Sequence, residues 1–421
     1  MDKFLQIGKT LSPKFQNEIN ISIVFNYLRE KGPISRSKIS KDLGLSAPAV
    51  SRAVSFLEKK GYIQEAGQLK TTVGKRPMLL LVNNEGYVIG VDVGKRRIKV
   101  AFTNFYGDII FENSGFITPS NILVDDKKFV KDLTALIKRI IKEAEEKDIV
   151  KPKMLRAICF AVSAPVSMQT KKIVNIPLYG NYTKIDYKEV FGKKFKVPIY
   201  IENDVNCSAY GEKTFIKDKQ ITDIVFIEIS RGIGSGILIN NKIFRGSHGT
   251  SGEIGNSIIN TINLDFKIQN KGFLEKFASV EGIEKAAKKA ISEGSESILL
   301  QMVEGDIDKI EAKDVCYAFL KEDKLSIDII NRAIDYLSVS ILYLILIIDP
   351  QVVVLGGDIC TLPEAGTIFL NSLISKINSA FPFKMPVIRF SIAGNEAGVI
   401  GASLVAIEAL ISQEFPFRIS D

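Results

Sequence analysis

Glu202-Asn203-Asp204-Val205-Asn206 sets two carboxylates and two amides at the end of a short apolar run, Val197-Pro198-Ile199-Tyr200. The run reads as a buried strand, and strand ends are where α/β sheets present ligand groups. An amide beside a carboxylate suits a molecule rich in hydroxyls, because together they donate and accept hydrogen bonds. A carboxylate there can also take a proton from a hydroxyl as general base. Asn203 and Asp204 equally fit a turn and a helix N-cap. From this stretch alone the two readings stand side by side.

Three glycine clusters follow strands: Asp92-Val93-Gly94, Gly232-Ile233-Gly234-Ser235-Gly236 and Gly356-Gly357. Glycine lets backbone N–H groups approach a phosphate closely, although each cluster singly also reads as an ordinary turn. The four cysteines are far apart and form no Cys-x-x-Cys pair, which argues against a disulfide framework or a thiolate zinc site. The one histidine, His248, lies in a Gly-rich loop, where a structural role fits better than metal ligation.

The elements that must position these groups begin with a basic region. Residues 1–82 carry 14 Lys and Arg against 6 Asp and Glu, whereas the remainder carries 42 of each. All of the net charge of +8 therefore sits in the first fifth of the chain, which points to a nucleic-acid-binding module joined to a neutral one. Ile19, Ile23, Val24, Tyr27 and Leu28 recur at helical spacing over Asn17–Lys31, and Gly32-Pro33 stops that helix. Ser35 caps a second helix and Ser46 a third, with Pro48 in its first turn and Val50, Val54 and Leu57 as its buried stripe. This pair reads as helix-turn-helix, whose second helix enters the major groove by its N-terminal end. Ala47 and Ala49 allow close approach, and Ser51 and Arg52 are placed to reach base edges or phosphates. Two strands, near Gly61–Gln64 and Thr71–Leu80, form a wing with Lys75-Arg76 at its tip. A helical protein-interaction domain with a solvated basic face is the plainer alternative. Spacing, wing and charge together favour DNA.

From Tyr87 the pattern changes to strands near Val88–Gly94, Arg97–Asn104, Ile109–Glu112 and Arg156–Val162, with an amphipathic helix over Lys128–Lys147. It then repeats. A strand from Asp223 runs to a loop at residues 230–236, and a strand follows over Ile237–Asn240. Helices fill much of 272–348. Strands at Val352–Leu355 and Val387–Phe390 and a helix from about Glu396 to Ile411 close the chain. The expectation is two α/β lobes facing a cleft. The longest apolar run, Leu337–Ile348, is broken by Ser338 and Ser340 and fits a buried helix better than a membrane span. Met1-Asp2-Lys3-Phe4 lacks the pattern of a signal peptide, so a cytoplasmic protein is expected.

With these motifs in place, the chain resembles the ROK family of repressors, open reading frames and sugar kinases. The likeness covers about residues 17–412. It rests on Asp92-x-Gly94, Glu202-Asn203-Asp204-Val205-Asn206, Gly232-x-Gly234-x-Gly236, Gly252-Glu253-Ile254-Gly255, Leu274-Glu275, Gly356-Gly357 and the wing Gly74-Lys75-Arg76-Pro77. The resemblance implies an α/β chain with an N-terminal winged helix-turn-helix over 1–82 and a two-lobed actin-like ATPase fold over 83–421. It makes Asp204 the general-base position and Asn203, Asp204, Glu253 and Glu275 sugar contacts. It makes Asp92, Gly94, Gly232, Gly234, Gly236, Gly356 and Gly357 the nucleotide-phosphate loops. The winged helix is the mark of the family's repressor branch, which includes xylose and N-acetylglucosamine repressors. The DNA-contacting set is then Ser35, Arg36, Ser46, Ala47, Pro48, Ser51, Arg52, Lys75 and Arg76.

Departures from the family pattern shape the functional expectation. The phosphate loop, usually Asp-x-Gly-Gly-Thr, reads Asp92-Val93-Gly94-Lys95-Arg96, with two bulky cations in place of small residues. Lys95 and Arg96 offer phosphate a charge but crowd its cradle, and phosphoryl transfer depends on positioning. The zinc pattern Glu-x-Gly-His becomes Glu253-Ile254-Gly255-Asn256, and Phe266, Ile268 and Phe273 stand where cysteines are expected. Those side chains cannot build a tetrahedral N/S site, although Asn256 still offers a sugar a hydrogen bond. The expectation is a sugar-responsive repressor that binds double-stranded operator DNA as a homodimer or higher oligomer. No metal or cofactor is expected, ATP binding is in doubt, and Asp204 is either vestigial or retained for sugar. The alternative is an ATP-dependent hexose or N-acetylhexosamine kinase with a fused DNA-binding domain.

Overall fold

The computed structural model describes residues 13–68, 77–94, 98–115, 126–174, 184–259 and 273–412. The chain forms two compact units. One takes the chain up to Phe160, Ile185–Ile201 and the segment from Ala402; the other takes Ala161–Lys184 and Glu202–Gly401.

The first unit opens with α1 (Pro13–Lys31), which starts one turn before the expected Asn17 and buries Ile21, Val24, Phe25 and Leu28. The Gly32 N–H closes it on the Leu28 carbonyl at 2.8 Å. After β1 (Ile34–Ser35), α2 (Arg36–Leu43) is capped by Ser35, whose hydroxyl accepts from the Lys38 N–H at 3.4 Å. Ser46 caps α3 (Ala47–Lys59) through the Ala49 N–H at the same distance. Val50, Val54 and Leu57 face inward as their spacing predicts. Ala49 is a correction: it is buried with them, not free to approach a groove. β2 (Ile63–Gln68) and β3 (Met78–Val82) pair antiparallel in the sheet order β1-β3-β2, which is the wing. Its tip, with Lys75 and Arg76, lies outside the described residues.

A five-stranded sheet completes this unit. β4 (Tyr87–Val93), β5 (Ile98–Asn104) and β6 (Ile109–Gly115) form an antiparallel meander. α4 (Asp126–Glu146) buries Phe129, Leu133, Ile137, Ile140 and Ala144 along one face. β7 (Leu155–Val162), α5 (Tyr187–Phe195) and β8 (Ile199–Asn203) follow, giving the order β6-β5-β4-β7-β8. Phe105 of the β5–β6 turn packs the winged helix onto this sheet. Phe105 is fully buried and meets Phe25 edge-on at 6.4 Å and Tyr62 at 5.4 Å. Burial raises the Tyr62 phenol pKa, against a smaller pull from Arg156.

The second unit begins with α6 (Asp204–Lys213). Its sheet runs β11-β10-β9-β12-β13, from β9 (Ile224–Ile229), β10 (Ile233–Ile239), β11 (Lys242–Ile243), β12 (Val352–Gly356) and β13 (Val387–Phe390). β12 is parallel to β9 and β13, whereas β9-β10-β11 is an antiparallel meander. Between β11 and β12 come α7 (Phe273–Ala278), α8 (Val280–Ser292), α9 (Leu299–Met302), α10 (Ala312–Leu320) and α11 (Lys324–Ile348). α12 (Pro363–Ala380) joins β12 to β13, and α13 (Ala397–Ile411) ends the described chain. α11 and Gly394–Ile411 are long and apolar enough to cross a membrane by length and composition. In this fold α11 supplies Ile330, Ala333, Ile334, Leu337, Ile341 and Ile345 to the core.

One expected loop is corrected. Gly234 and Gly236 lie inside β10, opposite Glu228 and Phe226 of β9, and only residues 230–232 turn the hairpin. Their missing side chains let α6 approach: a Cβ on Gly236 would lie 2.2 Å from the Val205 carbonyl oxygen. Gly236→Ala is therefore expected to destabilise the protein by about 1–3 kcal/mol, the usual cost of overpacking. A chemical-denaturation midpoint equal to that of the wild type would refute this packing account.

Candidate functional site

The ligand-type residues read from the sequence all fall in the second unit. Asn203 ends β8 and caps α6, its Oδ1 accepting from the Asn206 N–H at 3.0 Å. Its Nδ2 donates to the Ala164 carbonyl at 3.4 Å. Of the two alternatives for this corner, the helix cap is made by Asn203, and its Nδ2 has a second N–H beyond the one given to Ala164. Asp204 is the first residue of α6, and its Oδ1 accepts from the Val205 N–H at 2.8 Å. A carboxylate at this position gains from the positive end of the helix dipole.

Glu253 and Asn256 lie at either end of the short 3-10 turn Ile254–Asn256, Glu253 half-buried and Asn256 exposed. Glu275 sits in the first turn of α7, and its Oε2 accepts from the Ile233 N–H at 3.3 Å, where β10 starts. The fold links the elements that carry these residues: α6 lies against β10, and β10 lies against the 3-10 turn and α7. The loop bearing Glu253 is threaded by two glycines that nothing larger can replace. Gly249 and Gly252 have φ of +82° and +90°, and a Cβ on either would lie 1.9 Å from a backbone oxygen, of Val166 and Ser235 respectively.

A buried ion pair fixes this corner. Glu202 is nearly inaccessible; its Oε1 accepts from the Asn203 N–H at 2.9 Å and from Asn206 Nδ2 at 3.0 Å. Its Oε2 accepts from Arg245 Nε at 2.6 Å. Arg245 begins the loop that leads to Glu253, so one carboxylate ties the Asn203–Asp204 corner to the Glu253 loop. The sequence shows Glu202 beside the motif but gives no sign of Arg245, 43 residues away. Arg245→Ala is expected to cost about 3 kcal/mol by stranding a buried charge. Arg245→Lys should recover only part, because an ammonium lacks the planar fork. Denaturant unfolding of the two variants checks both, and an Arg245→Ala variant as stable as the wild type would exclude the clamp.

Of the nucleotide-loop residues, Asp92 lies in β4 opposite Lys99, Gly94 follows that strand, and Lys95 and Arg96 lie outside the described residues. Gly356 and Gly357 close tightly on the sheet, where Cβ atoms would reach the Phe226 ring at 2.4 Å and the Ile229 oxygen at 2.5 Å. The zinc set implied by the family pattern does not fit these residues. Asn256 offers no imidazole, and Phe273 packs tilted against Phe277 at 4.9 Å and edge-on to Tyr336 at 5.5 Å. Phe266 and Ile268 lie outside the described residues. Among the described residues no three His, Cys, Asp or Glu side chains are grouped to hold a metal ion. His248 is exposed.

The DNA-type residues divide into two groups. Ser46, Ala47, Pro48, Ser51 and Arg52 are all exposed, on one side of the first turns of α3. Two further residues make bonds within the domain. Ser35 is buried and its hydroxyl serves as the α2 cap, so it is not free to reach a phosphate. Arg36 has its guanidinium Nη2 on both oxygens of Glu58 at 3.0 Å, which ties α2 to α3. The sequence reading missed Lys38 and Lys41, which line a groove of about 520 Å³ beside α2 together with Ser37 and Leu79. Cationic side chains at such a place suit backbone phosphates.

Comparison with known proteins adds to this geometry. The ROK family pattern matches residues 88–409, and a winged helix-turn-helix DNA-binding pattern matches residues 17–64. The chain is 30% identical to the xylose repressor of Bacillus spizizenii over 399 residues, 94% of this chain and 96% of that one. It is 25% identical to the Escherichia coli DNA-binding transcriptional dual regulator NagC over 408 residues, 94% of each. The fold superposes with a TM-score of 0.75 on a ROK family transcriptional regulator described as a homolog of the E. coli MLC protein, at 22% identity over 94% of this chain and 97% of that one. The chain belongs to the ROK family and carries that family's sugar-kinase-like fold behind a winged helix-turn-helix DNA-binding domain.

Proposed function

We propose that the protein is a transcriptional repressor of sugar genes whose grip on its operator responds to a sugar. The exposed outer face of α3 carries this reading: Ala47 and Pro48 leave room beside a base edge, and Ser51 and Arg52 stand ready to contact it. The concentration of the net positive charge in this domain supports it, as do the repressor relatives. Lys38 and Lys41 of α2, together with Lys75 and Arg76 of the wing, supply phosphate contacts. Asn203, Asp204, Glu253 and Glu275, with Asn256 at the rim, form the sugar site, and a pentose or an N-acetylhexosamine is the class to try first. Sugar changes DNA binding only through different affinities for two states of the protein.

The acting species is a dimer or higher homo-oligomer in the cytoplasm, reading a two-fold operator. Exposed Tyr343, Leu346 and Ile347 at the end of α11 and Val387 on the edge strand β13 supply an apolar surface for self-association. The test is a genomic-fragment pull-down with the full chain at moderate salt. A palindromic site beside sugar uptake or catabolism genes is expected. Absence of any enriched site, with or without sugars, would overturn the repressor reading. Wing variants Lys75→Ala and Arg76→Ala together should weaken operator binding and lower the slope of log affinity against log salt by about 2, one for each phosphate that is no longer neutralised. The kinase reading keeps one favourable observation, the carboxylate of Asp204 at the start of α6, and ADP release over a panel of hexoses and amino sugars decides it.

A further inference from the structure

Helix α13 belongs to both units. Its residues up to Gly401 are in the second unit, and from Ala402 onward they are in the first. In the second unit its opening turn touches α6 backbone to backbone. A Cβ on Gly401 would lie 1.7 Å from the Cys207 carbonyl oxygen, and one on Gly211 would lie 2.1 Å from that of Ala397. The two glycines bring the backbones of α6 and α13 into direct contact, with no side chain of their own between them.

The far end of α6 grips the approach to α13 as well. Glu212 is fully buried and its carboxylate is saturated with donors. It accepts from Arg389 Nη1 and the Ser391 hydroxyl, each at 2.7 Å, and from the Ile392 and Ala393 N–H groups at 3.0 Å. α6 therefore carries Asp204 at its first residue and holds the 389–393 segment at its last turn.

In the first unit, α13 reaches the seat of the winged helix. Leu404 would be 3.2 Å from a Cβ on Gly107, in the turn between β5 and β6. That turn carries Phe105, the ring wedged between Phe25 of α1 and Tyr62 ahead of the wing. The ring also lies where a side chain at Gly86 would be, 2.7 Å from its Cβ position.

We propose that α13 is a lever that couples the ligand corner to the DNA-binding domain. Occupancy at Asp204 shifts α6; the glycine seam and Glu212 pass the shift to α13; Leu404 and the β5–β6 turn pass it to the Phe105 seat. Glu212 and Phe105 are positioning residues here, and neither touches ligand or DNA. The inference rests on the ligand-site reading given above. Coupling of this kind is a differential affinity carried by a packed, bistable contact.

The experiment uses the full chain, the DNA fragment enriched in the pull-down, and D-xylose and N-acetylglucosamine as probes. Sugar affinity is measured by calorimetry, and operator affinity with and without sugar gives the coupling ratio. For Phe105→Ala, sugar affinity is expected to match the wild type while the coupling ratio falls to one. A wild-type ratio in Phe105→Ala overturns the lever. Hydrogen exchange on the unsubstituted protein gives a second reading that does not depend on how the variant folds. Sugar should change protection at amides 104–108 and at Tyr62, and unchanged exchange there despite sugar binding overturns the lever alone. Failure of the wild type to bind either sugar strikes the ligand-site reading instead.

Discussion

Asp204→Ala is expected to leave operator binding at its wild-type strength and to abolish the response to sugar. The carboxylate sits at the first residue of α6, where its local bond is to the Val205 N–H. Losing the favourable helix-dipole interaction costs about 0.3–1 kcal/mol, which a folded domain tolerates. Losing a charged acceptor for a sugar hydroxyl costs about 1.5–3 kcal/mol, or roughly ten- to more than a hundredfold in sugar affinity. Asn203→Ala is a poorer probe of the same site. It removes the α6 cap, worth about 1 kcal/mol, so weaker sugar binding would mix with a frayed helix. Asp204→Asn separates charge from shape. If the response follows charge it should be lost there too, and calorimetry with titration of the operator complex reads both quantities. An Asp204→Ala protein that still answers sugar would remove Asp204 from the site.

Arg52→Ala is expected to weaken operator binding by about 1–3 kcal/mol per protomer if Arg52 reads a base edge, with relaxed preference at that base pair. If it holds a phosphate, binding should weaken evenly across sequences and the salt slope should drop by about 1. The two outcomes are told apart by measuring affinity for the operator and for single-base variants at several salt concentrations. Arg36→Ala is the matched control. Its guanidinium is held by Glu58 in a partly exposed pair, an arrangement worth about 0–1 kcal/mol, so operator affinity should change little. A larger loss at Arg36 than at Arg52 would mean that α2, not α3, carries recognition.

The local architecture was legible because its causes are local. Ser35 and Ser46 cap the helices their positions predict, and Val50, Val54 and Leu57 form the buried stripe that helical spacing demands. Val387–Phe390 is a strand with the limits its apolar run suggested. Asn203 illustrates the limit of such reasoning. Its type fits both a ligand contact and a cap, and only the 3.0 Å bond to the Asn206 N–H shows that the cap is made. The sequence likewise offered Gly234 and Gly236 as a loop, whereas the pairing of β9 with β10 puts them in a strand beneath α6.

By itself, then, the sequence determined the winged helix, the charge division, the two α/β repeats and the residue types at the ligand corner. These follow from spacings of two to four residues and from composition, which no distant contact alters. Tertiary structure alone decided what holds those residues in place. Arg245 finds Glu202 across 43 residues, Arg389 finds Glu212 across 177, and Phe105 finds Phe25 and Tyr62 from a turn with no distinguishing pattern. The physical reason is that burying a charge or a ring requires a partner in space, and which partner arrives is set by how strands pair and helices pack, not by the residues alongside.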